Sequence, residues 1–576
     1  MRLRSIAIFL IAAVAIFAVY QRDVTVLFSA PAQAAGGGPF PVAVSNGTLV
    51  DASGQPYLLV GDSPQALMNT LQLCTAGNSY SACQYSTDAL PNQLTAVAYL
   101  RDRKENGFNT IMVDLFCDDY VNCPNERYSA SGVPPFTAQL SGTFKGINGG
   151  STTCPLSRRP KNVTCWDLFT PNPEYFTIFD GFLQLAAQFD IQVMVDIEGS
   201  CTSADWLQTL VNNNTAGGGR LPGFANYLAS RYKYPRGTGA GGNGAPNIIW
   251  QFGNDYQCYT NAALDNILYA FFSQLHSSDP THLITGELSW HISSTLDDTT
   301  TEGWANIIGL NGVYTYYPAY DETIHAYKQS VTQPTFMIET YYDLGNPTGC
   351  SDETPSAMRD RRQELWALTS GSNAGYMYGN DGATEHFQAG WQNNIDTTSV
   401  TQFNSIINLI KSTAWQKLVP DLNGNLVTAG RNTYANPPVP EGVPGNPANG
   451  GECASTGYNI TTNTYVSAAR ASDGTFAFAY MPASGNNCGG GSCAITVNTT
   501  YLGPNVTAKW FDPTAPYAGA FTTICANGSG PCAPGNQTFN PSNQGLGAHS
   551  DGATDYALLL TATRPYGGTG AGPFDR

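Results

Sequence analysis

Between residues 57 and 381 the chain alternates short apolar runs with longer amphipathic stretches. The runs are YLLVGD (57–62), TIMVDLF (110–116), QVMVDIEG (192–199), NIIWQFGND (247–255), HLITGELSW (282–290), IIGLNGVYTYY (307–317), TFMIETYYD (335–343) and AGYMYGND (374–381). They are apolar without clean alternation, the pattern of parallel strands buried on both faces. Stretches with helical spacing follow most of them, among them 174–189, 264–276, 355–369 and 400–415. Eight such β-then-α units predict a (β/α)8 TIM barrel, α/β in class. An open doubly wound sheet is the competing architecture. A nucleotide-binding version of it would carry a glycine-rich phosphate turn after its first strand, and GDSPQALMN (61–69) is not one.

After Trp415 the pattern changes. Short β-like pieces (TYVSAARA, TFAFAYMP, AITVNTTYL, VTAKWFDP, YALLLTA) are separated by turns rich in Gly, Pro and Asn, as in an antiparallel β-sandwich. The expected organisation is a barrel over 40–418, a sandwich over 419–566 and a flexible tail over 567–576. The start reads as a leader: Arg2 and Arg4 precede an apolar stretch (6–20), and Ala32-Gln33-Ala34 supplies a small-residue cleavage pattern. A signal peptide over 1–34 predicts export to the periplasm or medium. An uncleaved membrane anchor is the alternative, and no later segment could span a bilayer.

The 14 cysteines fit an oxidising compartment. Close pairs suggest Cys74–Cys83, Cys117–Cys123, Cys154–Cys165, Cys488–Cys493 and Cys525–Cys532. Cys201–Cys258 would join the loops after the third and fourth runs, and Cys350–Cys453 would join the two domains. No C-x2-C pair or histidine cluster supports zinc. The net charge of −17, with 26 Lys and Arg, excludes nucleic acid as an expected partner, since binding it needs clustered cations. A monomer with no cofactor and no metal is expected.

The chemistry should sit where barrel strands end. Those ends carry Asp62, Asp114, Asp196 and Glu198, Asn254 and Asp255, Glu287, Tyr314 and Tyr316, Glu339, and Asp381. So many carboxylates at one mouth serve either sugar chemistry or metal binding. Glycoside hydrolysis needs one carboxylic acid to protonate the leaving oxygen and a second carboxylate to attack or to activate water. With six histidines in the chain, the metal reading is the weaker of the two. Asp114, Asp118 and Asp119 lack the spacing of a calcium loop.

An Asn-acid pair ending strand four and a Glu ending strand seven resemble the retaining glycoside hydrolases of clan A. More closely, the chain resembles the apiosidase-like family of that clan. The matching residues are Gly61-Asp62-Ser63, the run from Asn247 to Asp255, and Ile338-Glu339. The C-terminal region resembles the domain labelled collagen-binding that follows those barrels, through Leu418-Val419-Pro420-Asp421, Tyr465–Arg470 and Trp510-Phe511-Asp512-Pro513. The resemblance implies Asp255 as acid/base, Glu339 as nucleophile, and Asn254 hydrogen-bonded to the sugar 2-hydroxyl. It points to apiose- or arabinose-type sugars of plant or microbial polysaccharides. Further substrate-binding candidates are Asp62, Asp114, Glu198, Glu287, His291, Tyr314, Tyr316, Tyr341, His386 and Trp391. Two rivals remain at this point: a non-catalytic carbohydrate-binding, adhesin-like barrel and a metal-dependent hydrolase. The long loop over 117–173, rich in Pro, Gly, Ser and Thr, is expected to wall the cleft.

Overall fold

The computed structural model describes residues 38–116, 128–154, 163–197, 201, 206–234, 244–288, 292–301, 303–345, 356–381, 387, 389–434, 460–483 and 493–566. The expected leader, the tail and Cys117, Cys123, Cys350, Cys453 and Cys488 lie outside these residues.

The eight apolar runs form eight parallel strands: β1 (Leu59–Asp62), β2 (Thr110–Asp114), β3 (Gln192–Asp196), β4 (Ile248–Phe252), β5 (Leu283–Gly286), β6 (Asn311–Thr315), β7 (Thr335–Glu339) and β8 (Gly375–Tyr378). They pair in sequence order, with β8 against β1. The ring closes between β5 and β6, where the Ile284 carbonyl accepts from Gly309 N–H (2.8 Å) and Leu310 N–H (3.3 Å). A short strand, Ile292–Ser294, lies antiparallel to β6 beside that seam. This is the TIM-barrel core expected from the runs.

The register sets the mouth of the barrel. Asp114 and Asp196 are direct partners at the ends of β2 and β3. An irregularity at Val313/Tyr314 brings Tyr314 opposite Glu339 across β6 and β7. Inside the barrel Leu59, Met112, Met194, Ile249, Phe336, Ile338 and Met377 form one apolar cluster. A hairpin, Ala43–Ser45 with Thr48–Val50, adds Leu49 to the same cluster and plugs the N-terminal end. Its Asn46-Gly47 turn has φ of 50° and 69°, the left-handed pair that a two-residue hairpin turn requires.

The principal helices are α1 (Ala96–Glu105), α2 (Pro173–Gln188), α3 (Trp206–Ala216), α4 (Arg220–Tyr232), α5 (Ala262–Ser278), α6 (Tyr320–Gln329), α7 (Ser356–Ser370) and α8 (Thr398–Lys411). Local chemistry starts them. Thr95, Asn172, Asn261 and Thr397 each accept a first-turn N–H on the side chain, and Pro173 occupies the first position of α2. The fifth unit departs from the expected pattern: its helix is the single turn Trp304–Ile307. The preceding sequence is rich in Ser, Thr and Asp, side chains that compete with the helical backbone for hydrogen bonds.

The C-terminal strands are β9 (Leu418–Pro420), β10 (Val427–Ala429), β11 (Ser467–Ala471), β12 (Phe476–Met481), β13 (Ile495–Asn498), β14 (Thr507–Phe511), β15 (Phe521–Cys525), β16 (Asn536–Phe539) and β17 (Tyr556–Thr561). They make two antiparallel sheets, ordered β9-β11-β12-β17-β14-β15 and β10-β13-β16. Helix α7 lies against the larger sheet and bonds to its region through side chains. Arg361 forms a fork on Asp555 (2.9 and 2.8 Å) and reaches Asp551, while Arg362 donates to the carbonyls of Ile460, Thr461 and Pro482.

Disulfides join Cys74–Cys83, Cys154–Cys165, Cys201–Cys258 and Cys525–Cys532, all expected pairings. Among the described residues no helix is long and apolar enough to cross a membrane.

Candidate active site

The chain leaves β4 at Phe252 through a turn that only particular backbones can make. Gly253 has φ of 78°, and a Cβ there would come within 2.1 Å of the Glu287 carbonyl oxygen. Asp255 also lies in the left-handed region at φ 61°, uncommon for a residue with a side chain and frequent at functional sites. Its N–H donates to Glu287 Oε1 at 3.2 Å. The turn thereby lifts Asn254 and Asp255 above the strand end, and Asn254 is 5% exposed.

Glu339 ends β7 and is 7% exposed. Both its oxygens are held by phenols: Tyr316 donates to Oε1 at 2.8 Å and Tyr342 to Oε2 at 2.9 Å. Burial pushes its carboxyl up to about 7, although hydrogen bonds from Tyr316, Tyr342, Tyr314 and Glu287 favour its charged form. Tyr314 and Tyr316 are each raised well above the ordinary phenol range, first by burial and then by the nearby charges of Asp255 and Glu339. Both carboxylates therefore act on one pair of tyrosines.

A polar chain ties the two strand ends together. Asn254 Nδ2 donates to Gln65 Oε1 (3.1 Å), Gln65 Nε2 donates to the Tyr342 oxygen (3.1 Å), and Tyr342 donates to Glu339. Each bond polarises the next toward the carboxylate, and the chain orients the Asn254 amide. Gly379, just past β8, makes room for the Tyr342 ring; a Cβ there would come within 2.3 Å of it.

The profile of the apiosidase-like catalytic domain matches residues 45–417. The chain belongs to the apiosidase-like family. This apiosidase-like chain is accordingly a glycoside hydrolase with a carbohydrate substrate. Among solved structures it is similar to one described as a glycoside hydrolase, at 15% identity and a TM-score of 0.55, with 91% of this chain and 97% of that one covered. A glycoside hydrolase family 5 structure from Bacteroides vulgatus ATCC 8482 is similar at 15% identity and a TM-score of 0.55, covering 91% and 93%. At that identity the likeness concerns the fold. No curated protein matches the sequence.

In this apiosidase-like hydrolase the other expected site residues divide. Tyr314 and Tyr316 stand edge to face, 5.3 Å between centroids, beside Glu339. Asp114 and Asp196 are buried at neighbouring strand ends, and Asp114 N–H donates to the Gln65 carbonyl at 3.1 Å. Glu287 is fully buried beneath the Asp255 turn. Asp381 follows β8, its N–H bonded to the Asp343 carbonyl.

Asp62, expected to meet sugar, is instead fully buried. It accepts from the Tyr99 hydroxyl (2.6 Å), Arg103 Nη1 (3.4 Å) and Ser63 N–H (2.9 Å), which anchors α1 to β1. Trp391, 3% exposed, packs edge-on against Phe387 and Tyr99 rather than presenting a face. Tyr341 likewise turns inward, stacked on Tyr316 at 4.8 Å with the Arg359 guanidinium 4.7 Å from its ring centre. Trp250, in the middle of β4, is fully buried in the core. Glu198, His291 and His386 lie outside the described residues.

Gln65 and Tyr342 were not among the sequence candidates. The signal was present in their placement, each three residues beyond a strand-end acid, at Asp62 and Glu339. Among the described residues, Asp297, Glu322 and His325 bring potential metal-ligand atoms within 4.8 Å of one another. Asp297 already accepts from Gln329 at 2.6 Å, lies 2.8 Å from His325 Nε2 and caps the turn at Ser294. Asp297 and His325 are thus already engaged in hydrogen bonds.

Removing one phenol from Glu339 gives a prediction. Tyr342→Phe deletes a donor to the charged carboxylate and so raises the Glu339 pKa further. A hydrogen bond to a charged group is worth about 1.5–3 kcal/mol, so the acid limb of kcat/KM should move up by about one to two pH units. A limb unmoved in Tyr342→Phe would show that Tyr342 does not stabilise the ionised form.

Proposed function

We propose that the chain is a secreted, retaining glycoside hydrolase in which Asp255 is the acid/base and Glu339 the nucleophile. The observation that carries this reading is the Glu339 carboxylate held on both oxygens by phenols and linked through Tyr342 and Gln65 to Asn254, the neighbour of Asp255 on the β4 turn. In the first step Glu339 attacks the anomeric carbon while Asp255 gives its proton to the departing oxygen. In the second, Asp255 takes a proton from water, which attacks the same carbon and releases Glu339. Two inversions leave the anomeric configuration unchanged. Asn254, oriented by Gln65, serves the sugar 2-hydroxyl, and Asp114, Tyr314 and Tyr316 line the same end of the barrel.

The family points to apiose- or arabinose-type linkages in plant or microbial polysaccharides. The disulfides among the described residues suit the oxidising destination that a leader over 1–34 implies. The sandwich over 419–566 is read as a separate accessory domain on a monomeric enzyme.

Sugar release by residues 35–576 from pectic side chains, arabinans and apiose-containing polymers tests the reading, with Glu339→Gln alongside. A sugar released by the wild type alone supports it and identifies the linkage. Binding of glycans by both proteins, with release by neither, would replace it with the carbohydrate-binding alternative.

A further inference from the structure

The Glu287 carboxyl stands between the two proposed catalytic acids, and the inference about it rests on their assignment above. Three bonds clasp the β4 turn to this one residue. Glu287 N–H donates to the Phe252 carbonyl (2.9 Å), its own carbonyl accepts from Tyr256 N–H (3.4 Å), and Oε1 accepts from Asp255 N–H (3.2 Å). The absent Cβ of Gly253 lets the turn approach the same carbonyl. The residue thus bonds on both sides of Asp255, whose left-handed backbone is uncommon for any residue but glycine.

The same side chain also faces the other acid. Glu287 hydrogen-bonds Glu339 in a way that favours the charged form of Glu339. A carboxylate has no proton to donate, so that bond requires one of the two carboxyls to be neutral. Burial selects Glu287: it is 0% exposed, against 7% for Glu339, while Asp255 is partly exposed. Around Tyr314 three carboxyls meet, and like charges in a water-poor site cannot all ionise. The most buried one should keep the proton.

We propose that Glu287 is a positioning residue shared by both catalytic acids, a neutral carboxylic acid that fixes the Asp255 turn through Oε1 and donates its proton's hydrogen bond to Glu339. It touches neither substrate nor leaving group and acts through its neighbours.

Infrared difference spectra of the full mature chain at pH 8, wild type minus Glu287→Gln, test the protonation state without any substrate. Loss of a carboxylic-acid C=O band in the variant is expected. Loss of a carboxylate band instead would overturn the proposal, whatever the outcome for hydrolysis. Kinetics on the glycan cleaved by the wild type test the positioning role. Glu287→Ala should lower kcat by about 100-fold with little change in KM, the scale of a misplaced catalytic group. Glutamine can both accept from Asp255 N–H and donate to Glu339, so Glu287→Gln should recover at least about tenfold of that loss. A Glu287→Gln variant no more active than Glu287→Ala would contradict the role. Thermal melts of both variants separate these outcomes from misfolding, and the glutamine spectrum stands if the alanine variant does not fold.

Discussion

Glu339→Gln should lower kcat by at least about 10⁴-fold, the scale of losing a nucleophile, without damaging the fold. The stability effect has a definite sign. Burial raises the Glu339 carboxyl from an ordinary 4.5 to about 7. The folded state therefore holds its proton more tightly than the unfolded chain. The wild type is penalised progressively as pH rises from about 4.5 through 7, where the buried group must ionise. Glutamine never ionises, so its melting temperature relative to wild type should climb across that window. Melts at pH 5 and pH 8 check this, and a variant that loses ground at pH 8 would show that the carboxylate is structural. The same raised group predicts a kcat/KM acid limb near 7, since a protonated Glu339 cannot attack.

Arg361→Leu should destabilise the protein by about 3–5 kcal/mol, the cost of leaving a buried charge without its partner. Arg361 is 1% exposed and forks onto Asp555, whose side chain is fully buried. Burial alone would raise Asp555, but Arg361, with Arg362 and His549, holds it down to about 2. A depressed carboxyl contributes stability that is present above its unfolded value of 3.8 and is lost as pH falls through about 2. Denaturant melts of Arg361→Leu at pH 7 read the loss directly. Replacing Asp555 by Leu as well should recover part of it, since the uncompensated charge is then gone. A single variant within about 0.5 kcal/mol of wild type, the range of ordinary surface substitutions, would show that this pair does not fasten α7 to the C-terminal sheet.

The barrel was legible because its strands are buried on both faces, which leaves runs such as TIMVD and QVMVD with no polar interruption. The acids at those ends were legible for the same reason, standing where an apolar run stops. The fifth unit was less so: the apolar run β5 is plain, but the polar stretch after it forms only one short helix turn. Period-two reasoning also fails past a strand end. It gives no reason to single out Tyr342, yet β7 ends at Glu339, and the turn beyond delivers the Tyr342 hydroxyl to that carboxylate. Asp62 misleads differently, since a strand-end carboxylate facing sugar and one facing Arg103 look alike until the helix carrying Arg103 is placed. Gln65 belongs to a loop whose side-chain direction no periodicity encodes.

Proton NMR of the sugar at the instant of its release reads the proposed double displacement most directly. Once a cleaved glycan is in hand, the first anomer detected should carry the configuration of the substrate, before mutarotation mixes the two. An inverted first product would mean that Glu339 activates water rather than attacking, and the assignment of a nucleophile made here would be wrong.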